Sequence, residues 1–189
     1  MADEQTFTLT PDESVVLRRH DADAVEVEVT YQPGAKPPPK HLHPAQSERF
    51  EVLAGRITAR VDASEHTLRP GDTLEIGVGA VHQMWNSGPD AARAIWETRP
   101  AGRTLEWFGQ LDRLQREGKV GKNHMPGPLV MGALLTEFRD VLQVAVGPRT
   151  LVRGVMAVLG FIGRRTGRVD LAQASRAAPA TRADTPTRA

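Results

Sequence analysis

Between residues 25 and 98, apolar and polar positions alternate in short runs. Val25, Val27, Val29 and Tyr31 interleave with Glu26, Glu28 and Thr30, and Ile57, Ala59 and Val61 interleave with Thr58, Arg60 and Asp62. Side chains of an extended chain point alternately to opposite faces, so a period of two predicts strands with one face in a core and one in water. Shorter stretches carry the same signature: Phe7 to Leu9 and Ser14 to Leu17 about the Pro11-Asp12 turn, Glu48 to Leu53, Glu65 to Leu68, Thr73 to Ile76 and Arg93 to Thr98. Short strands separated by turns roughly every eight to twelve residues predict an antiparallel sandwich or barrel.

After Pro100 the period becomes helical. Leu105, Trp107, Phe108, Leu111 and Leu114 recur at helical spacing as far as Glu117-Gly118, and Gly121 to Pro128 reads as a loop. Leu129 to Val146, with Leu134, Leu135, Phe138, Val141 and Leu142, predicts a second helix, and Pro148 suits the first turn of a third running from Arg149 towards Gly163. The expected organisation is a β-domain over residues 1–100, with Met1 to Thr6 a frayed lead-in, and a helical extension over 101–170. The tail 171–189 has almost nothing to bury and is expected to be disordered. The third helical segment is too short to span a bilayer, which needs about 20 apolar residues, and it carries Arg153 near its start. It is expected to pack on a neighbouring helix or a second copy. Contact of residues 149–168 with a membrane surface is the secondary reading.

Charge separates the two halves. Residues 1–100 hold ten Lys/Arg against sixteen Asp/Glu and residues 101–189 fourteen against seven, so a net charge of +1 hides halves of −6 and +7. The tail arginines are few and lack interleaved aromatics, which argues against nucleic acid as a partner. With no cysteine in the chain, disulfides and thiolate metal sites are excluded, and any metal must be held by nitrogen and oxygen. Residues 1–24 contain acids and no apolar core, so no signal peptide is read and a cytoplasmic location is expected.

The candidate chemistry lies in two stretches. In HLHPAQSERFEVLAG, His41 and His43 are one residue apart, a spacing that on a strand puts both imidazoles on one face about 6 to 7 Å apart. Glu48 shares its strand face with Phe50 and Val52 while Arg49 and the competing carboxylate Glu51 take the other, so parity favours Glu48. In PGDTLEIGVGAVHQMWN, His82 is the fourth candidate ligand. Two imidazoles and a carboxylate on neighbouring strands make an open metal site with room for water or substrate. His20, His66 and His124 have no such partners and read as surface or loop residues, with only His124 placed to reach the mouth of the fold. Gln46, Gln83, Tyr31, Trp85 and Trp96 are candidates for pocket or supporting positions, and Asn86 for pinning a turn.

These stretches resemble the paired motifs of the cupin superfamily, G-x5-HxH-x3,4-E-x6-G and G-x5-P-x-G-x2-H-x3-N. The first is Gly34, six residues, His41-x-His43, four residues, Glu48, six residues and Gly55. The second is Gly71, five residues, Gly77 in place of proline, Val78, Gly79, two residues, His82, three residues and Asn86. The resemblance covers about residues 25 to 98 and implies a cupin-type antiparallel β-barrel, or jelly roll, as a single domain followed by about three helices. It also implies that His41, His43, Glu48 and His82 hold one divalent transition metal. A three-histidine, one-glutamate set suits Fe, Mn, Ni, Co, Cu or Zn. Glu48 is further expected to act as a base during turnover. The function implied is a metal-dependent enzyme on a small organic molecule, of dioxygenase, isomerase or polyketide-cyclase type, in secondary metabolism. The alternatives are a non-catalytic small-molecule-binding cupin whose basic extension contacts a partner or membrane, and a metal-free barrel serving dimerisation. A homodimer is expected in each case.

Overall fold

The alternating segments form strands in the computed structural model, which describes residues 5–121 and 125–166. In chain order they are β1 (Thr6–Thr10), β2 (Glu13–His20), β3 (Val25–Tyr31), β4 (His41–Leu42), β5 (Ser47–Ala54), β6 (Ile57–Val61), β7 (Ser64–Leu68), β8 (Thr73–Ile76), β9 (His82–Trp85) and β10 (Ala92–Arg99). Then follow α1 (Thr104–Arg116), α2 (Pro128–Glu137), β11 (Gln143–Val144) and α3 (Arg149–Arg165). Every strand pairing is antiparallel. One sheet has the order β1-β2-β3-β10-β5-β8 and the other β11-β4-β9-β6-β7, a jelly roll of two sheets rather than one closed hydrogen-bonded barrel.

Period-two patterning decides which face is buried. In β3 the valines and Tyr31 are buried and the intervening polar residues are partly open, and in β5 Glu48, Phe50 and Val52 are buried between half-open Arg49 and Glu51. Inward side chains of both sheets, among them Val25, Val27, Phe50, Val52, Ile57, Ala59 and Met84, share one core. Gly55 ends β5 at φ 71°, and a Cβ there would lie 2.5 Å from the Ala91 carbonyl oxygen, so only glycine fits this crossing. The sequence TLEWFGQLDRLQR forms α1 and lays Trp107, Phe108 and Leu114 inward. Phe108 meets Phe7 of β1 at 6.2 Å between ring centroids, and Asp112 Oδ1 accepts from the Thr8 amide at 3.0 Å.

The helix expected over Leu129 to Val146 stops at Glu137. Arg103 donates to the Glu137 carbonyl at 3.1 Å and stacks its guanidinium 4.4 Å from the centre of the Phe138 ring. Phe138 and Val141 are buried, and residues 143–144 pair with β4 as β11. Burial of two side chains and a ladder with β4 outweigh helix propensity, which is a weak preference where tertiary contacts compete. The remaining boundaries lie close to those read from the pattern. His124, the tail 171–189 and the first four residues of the lead-in lie outside the described residues. Among the described residues no helix is long and apolar enough to cross a membrane.

Candidate metal centre

β4 and β9 are neighbours, and their register sets His41 directly opposite His82. His43 follows one residue beyond β4, on the same side, and β5 from the facing sheet brings Glu48 across. The imidazole centroids are 5.5 Å apart for His41 and His43, 4.4 Å for His41 and His82, and 5.3 Å for His43 and His82. One ligand atom from each histidine lies within 4.8 Å of the other two.

Backbone carbonyls orient all three rings. Nδ1 of His41 lies 2.9 Å from the Pro39 carbonyl oxygen, Nδ1 of His43 2.6 Å from that of Val141, and Nδ1 of His82 3.0 Å from that of Ala80. A carbonyl oxygen only accepts, so each Nδ1 carries the hydrogen, which frees Nε2 as the metal-binding atom and fixes its direction. Glu48, 3% exposed, fills the space between the rings. Its Oε1 accepts from Trp96 Nε1 at 3.0 Å and lies 3.2 Å from His43 Nε2, while its Oε2 lies 2.9 Å from His82 Nε2.

Charge and burial pull in opposite directions here. Burial alone raises the Glu48 carboxyl, but the His43, His82 and His41 rings outweigh it and hold the group down at about 2. Burial, reinforced by the neighbouring histidines, lowers His41 to about 4; at His82 burial is outweighed by the Glu48 carboxylate, and the ring is raised. The site therefore keeps a buried anion against His43 and His82, within a cluster whose third imidazole, His41, resists protonation. His43 Nε2 and Glu48 Oε2 are buried without a hydrogen-bond partner. Orphaned buried polar atoms are costly, and lone pairs left over on an imidazole and a carboxylate of one cluster ask for a cation among them. By that test the residues fit a divalent metal ion.

The cavity beside this cluster has a volume of about 40 Å³ and is lined by His41, His43, Glu48, Trp96, Thr98, Thr104, Trp107, Phe108, Val141 and Leu142. That is room for a water molecule or two. Half of its wall comes from after residue 100. The sequence reading placed Trp96 near the site but missed Trp107, Phe108, Val141 and Leu142, because it assigned Val141 and Leu142 to a helix. Two adjacent aromatics just after Pro100 were the one available signal. Glu51 points away from the cluster and pairs with Arg49 at 3.1 Å. Gln46 donates to the Pro100 and Ala101 carbonyls and to Thr104 Oγ1, fixing the entry into α1. Gln83 bonds the Pro38 carbonyl, Trp85 lies under Arg60, and Asn86 donates to the carbonyls of Tyr31 and Asp90, pinning a turn. His20 and His66 are exposed.

Residues 27–97 match the family model described as "Cupin domain". Over 55 residues the chain is 44% identical to a protein named as an oxidoreductase from Arthrobotrys oligospora, covering 28% of this chain and 21% of that protein. Over 130 residues it is 30% identical to germin-like protein subfamily 3 member 1 of Arabidopsis thaliana, covering 66% of this chain and 53% of the relative. The chain thus spans about half or less of the length of these curated relatives. Among solved structures, an RmlC-like cupin from Shewanella frigidimarina aligns with a TM-score of 0.49 at 17% identity, over 55% of this chain and 89% of that one.

Proposed function

Residues 27–97 make this chain a member of the cupin superfamily, and we propose that it is a metal-dependent enzyme acting on a small organic molecule. One observation carries the reading: three histidines, each held by a backbone carbonyl at Nδ1, gather beside a buried carboxylate, and His43 Nε2 and Glu48 Oε2 are left without a hydrogen-bond partner. His41, His43 and His82 would hold one divalent transition metal of the Fe, Mn, Co, Ni, Cu or Zn group, with Glu48 as the fourth ligand or as a base beside it. When bound, such an ion acts as a Lewis acid on substrate oxygens or as the meeting place of substrate and dioxygen.

The chain's own residues supply the rest. Trp96 Nε1–H holds one carboxylate oxygen of Glu48 while the other lies against His82 without a hydrogen-bond donor, so Glu48 keeps a free lone pair with which to accept a proton from a bound molecule. Trp96, Trp107 and Phe108 exclude water and favour a flat, apolar or aromatic guest. Such a guest is larger than the cavity as it stands, so it enters as residues 138–144 and the start of α1 move apart. Enolisable and catecholic compounds meet these requirements, which is the basis for a dioxygenase, isomerase or cyclase reaction. The small cavity gives weight to a second reading, a cupin that retains a small ligand without turning it over.

Metal analysis of protein purified without chelator, followed by oxygen-uptake and turnover screens on enolisable and catecholic compounds, tests the proposal. About one transition metal per chain with turnover is expected. Metal without turnover on any of these compounds favours the binding module, and metal-free protein that takes up none on titration overturns both.

A further inference from the structure

Helix α3 meets the rest of the chain through a narrow face. A Cβ on Gly160 would lie 2.9 Å from the Gly132 carbonyl oxygen and 3.0 Å from Ala133 Cα, so α2 and α3 cross almost backbone to backbone. This crossing satisfies the packing expected of the helix, yet leaves its other face uncovered. Leu151, Val155, Val158 and Ile162 follow one another at steps of four, three and four residues and so form one stripe, with Phe161 beside it. Their exposures are 64%, 46%, 59%, 41% and 63% in that order. Single exposed apolar residues are ordinary, whereas five large ones on one helix mark an interaction surface.

Charge narrows the occupant. Helix α3 contains no Asp or Glu, and Arg153, Arg164 and Arg165 have no carboxylate partner among the described residues. On the sheets, by contrast, Arg18 and Arg93 pair with Glu28, Arg60 with Glu65 and Arg99 with Glu97. A second copy docking through the same face would bring three more unmatched guanidiniums to the contact. Residues 167–189 offer only Val169 and Leu171 as large apolar side chains, too few to cover five. An anionic lipid bilayer answers both needs, with acyl chains for the stripe and phosphates for the arginines, whose long stems reach around the helix to the headgroups.

We propose that α3 is an interfacial anchor that lays Leu151, Val155, Val158, Phe161 and Ile162 into the surface of an anionic membrane without crossing it. The inference is independent of the metal centre. The test is co-sedimentation of the full chain with phosphatidylcholine vesicles, with and without phosphatidylglycerol, at low and high salt. Binding is expected only with phosphatidylglycerol and should weaken with salt. The pair Val158→Glu and Phe161→Glu should reduce binding at least about tenfold, and Arg164→Gln about fivefold. All three positions are exposed, so far-UV circular dichroism and metal content should match the parent. A chain that stays in solution with both vesicle types, that binds phosphatidylcholine alone equally well, or whose binding survives Val158→Glu with Phe161→Glu overturns the proposal. So does a dimer that Val158→Glu splits in the absence of any vesicle binding, since the stripe would then belong to a second copy.

Discussion

The two-sheet body and the α2–α3 hairpin solve the same problem in opposite ways. In the sheets, outward arginines are matched by carboxylates one or two strands away, and inward valines, Phe50 and Ile57 are closed over by the facing sheet. In the hairpin, helices cross on glycines and alanine, five large apolar side chains stay exposed, and three guanidiniums have no carboxylate partner among the described residues. The first region is finished within itself. The second is finished only against something else, and the comparison teaches that apolar content alone does not distinguish them; what matters is whether the chain brings its own complement.

The largest effect that would sharpen this contrast is at the metal centre. His82→Ala removes a ligand from the self-contained half and should lower metal affinity by more than about 100-fold, beyond the loss typical of a supporting residue, with the sheets still folded. Inductively coupled plasma analysis checks it, and metal retained at parent levels would remove His82 from the site. Next, Gly160→Val places a side chain against the Gly132 carbonyl and should destabilise the hairpin by about 2–3 kcal/mol, leaving the sheets unaffected. Hydrogen exchange should show faster opening confined to residues 128–165, and uniform loss of protection would merge the two regions into one cooperative unit.

A pH test addresses the self-contained half from within. Glu13, half-buried at the start of β2, is raised to about 7 by burial, with the Glu48 charge adding. A carboxyl raised in the folded state binds more protons there than when unfolded, so stability falls as pH rises from about 4.5 to about 7, and the penalty is fully present above that. Glu13→Gln should therefore raise stability on the order of 2 kcal/mol at pH 8, after allowance for partial exposure, and hardly at all at pH 4. Equal gains in thermal melts at both pH values would contradict the burial. The smallest effect expected is for Trp96→Phe, which keeps the stack on Phe50 but takes the indole donor from Glu48, costing about tenfold in metal affinity or turnover.

Much of the sheet region was legible because alternation is a local signal. Val25 to Tyr31 and Ile57 to Val61 announce their faces residue by residue, and the spacing of His41, His43, Glu48 and His82 carries the cluster with it. What was not legible depends on contacts far apart in the chain. Leu129 to Val146 has helical spacing throughout, and nothing local says that Arg103 ends the helix at Glu137 or that Gln143 and Val144 pair with β4. The same holds for the cavity wall: Trp107, Phe108, Val141 and Leu142 are apolar residues of helical segments by sequence, and only packing against the sheets turns them towards the histidines. The exposed stripe of α3 was hidden for the converse reason, since periodicity identifies an apolar face but not whether anything covers it.

The bond from His43 Nδ1 to the Val141 carbonyl ties a ring of the ion cluster to the turn that precedes β11 and α3. Any event that tugs this turn away from β4 loosens the steering of His43, and by thermodynamic reciprocity an ion that needs the ring steered must resist the tug. The orientation of His43 is thus set from outside the two sheets, by a single carbonyl in the link between the two helices.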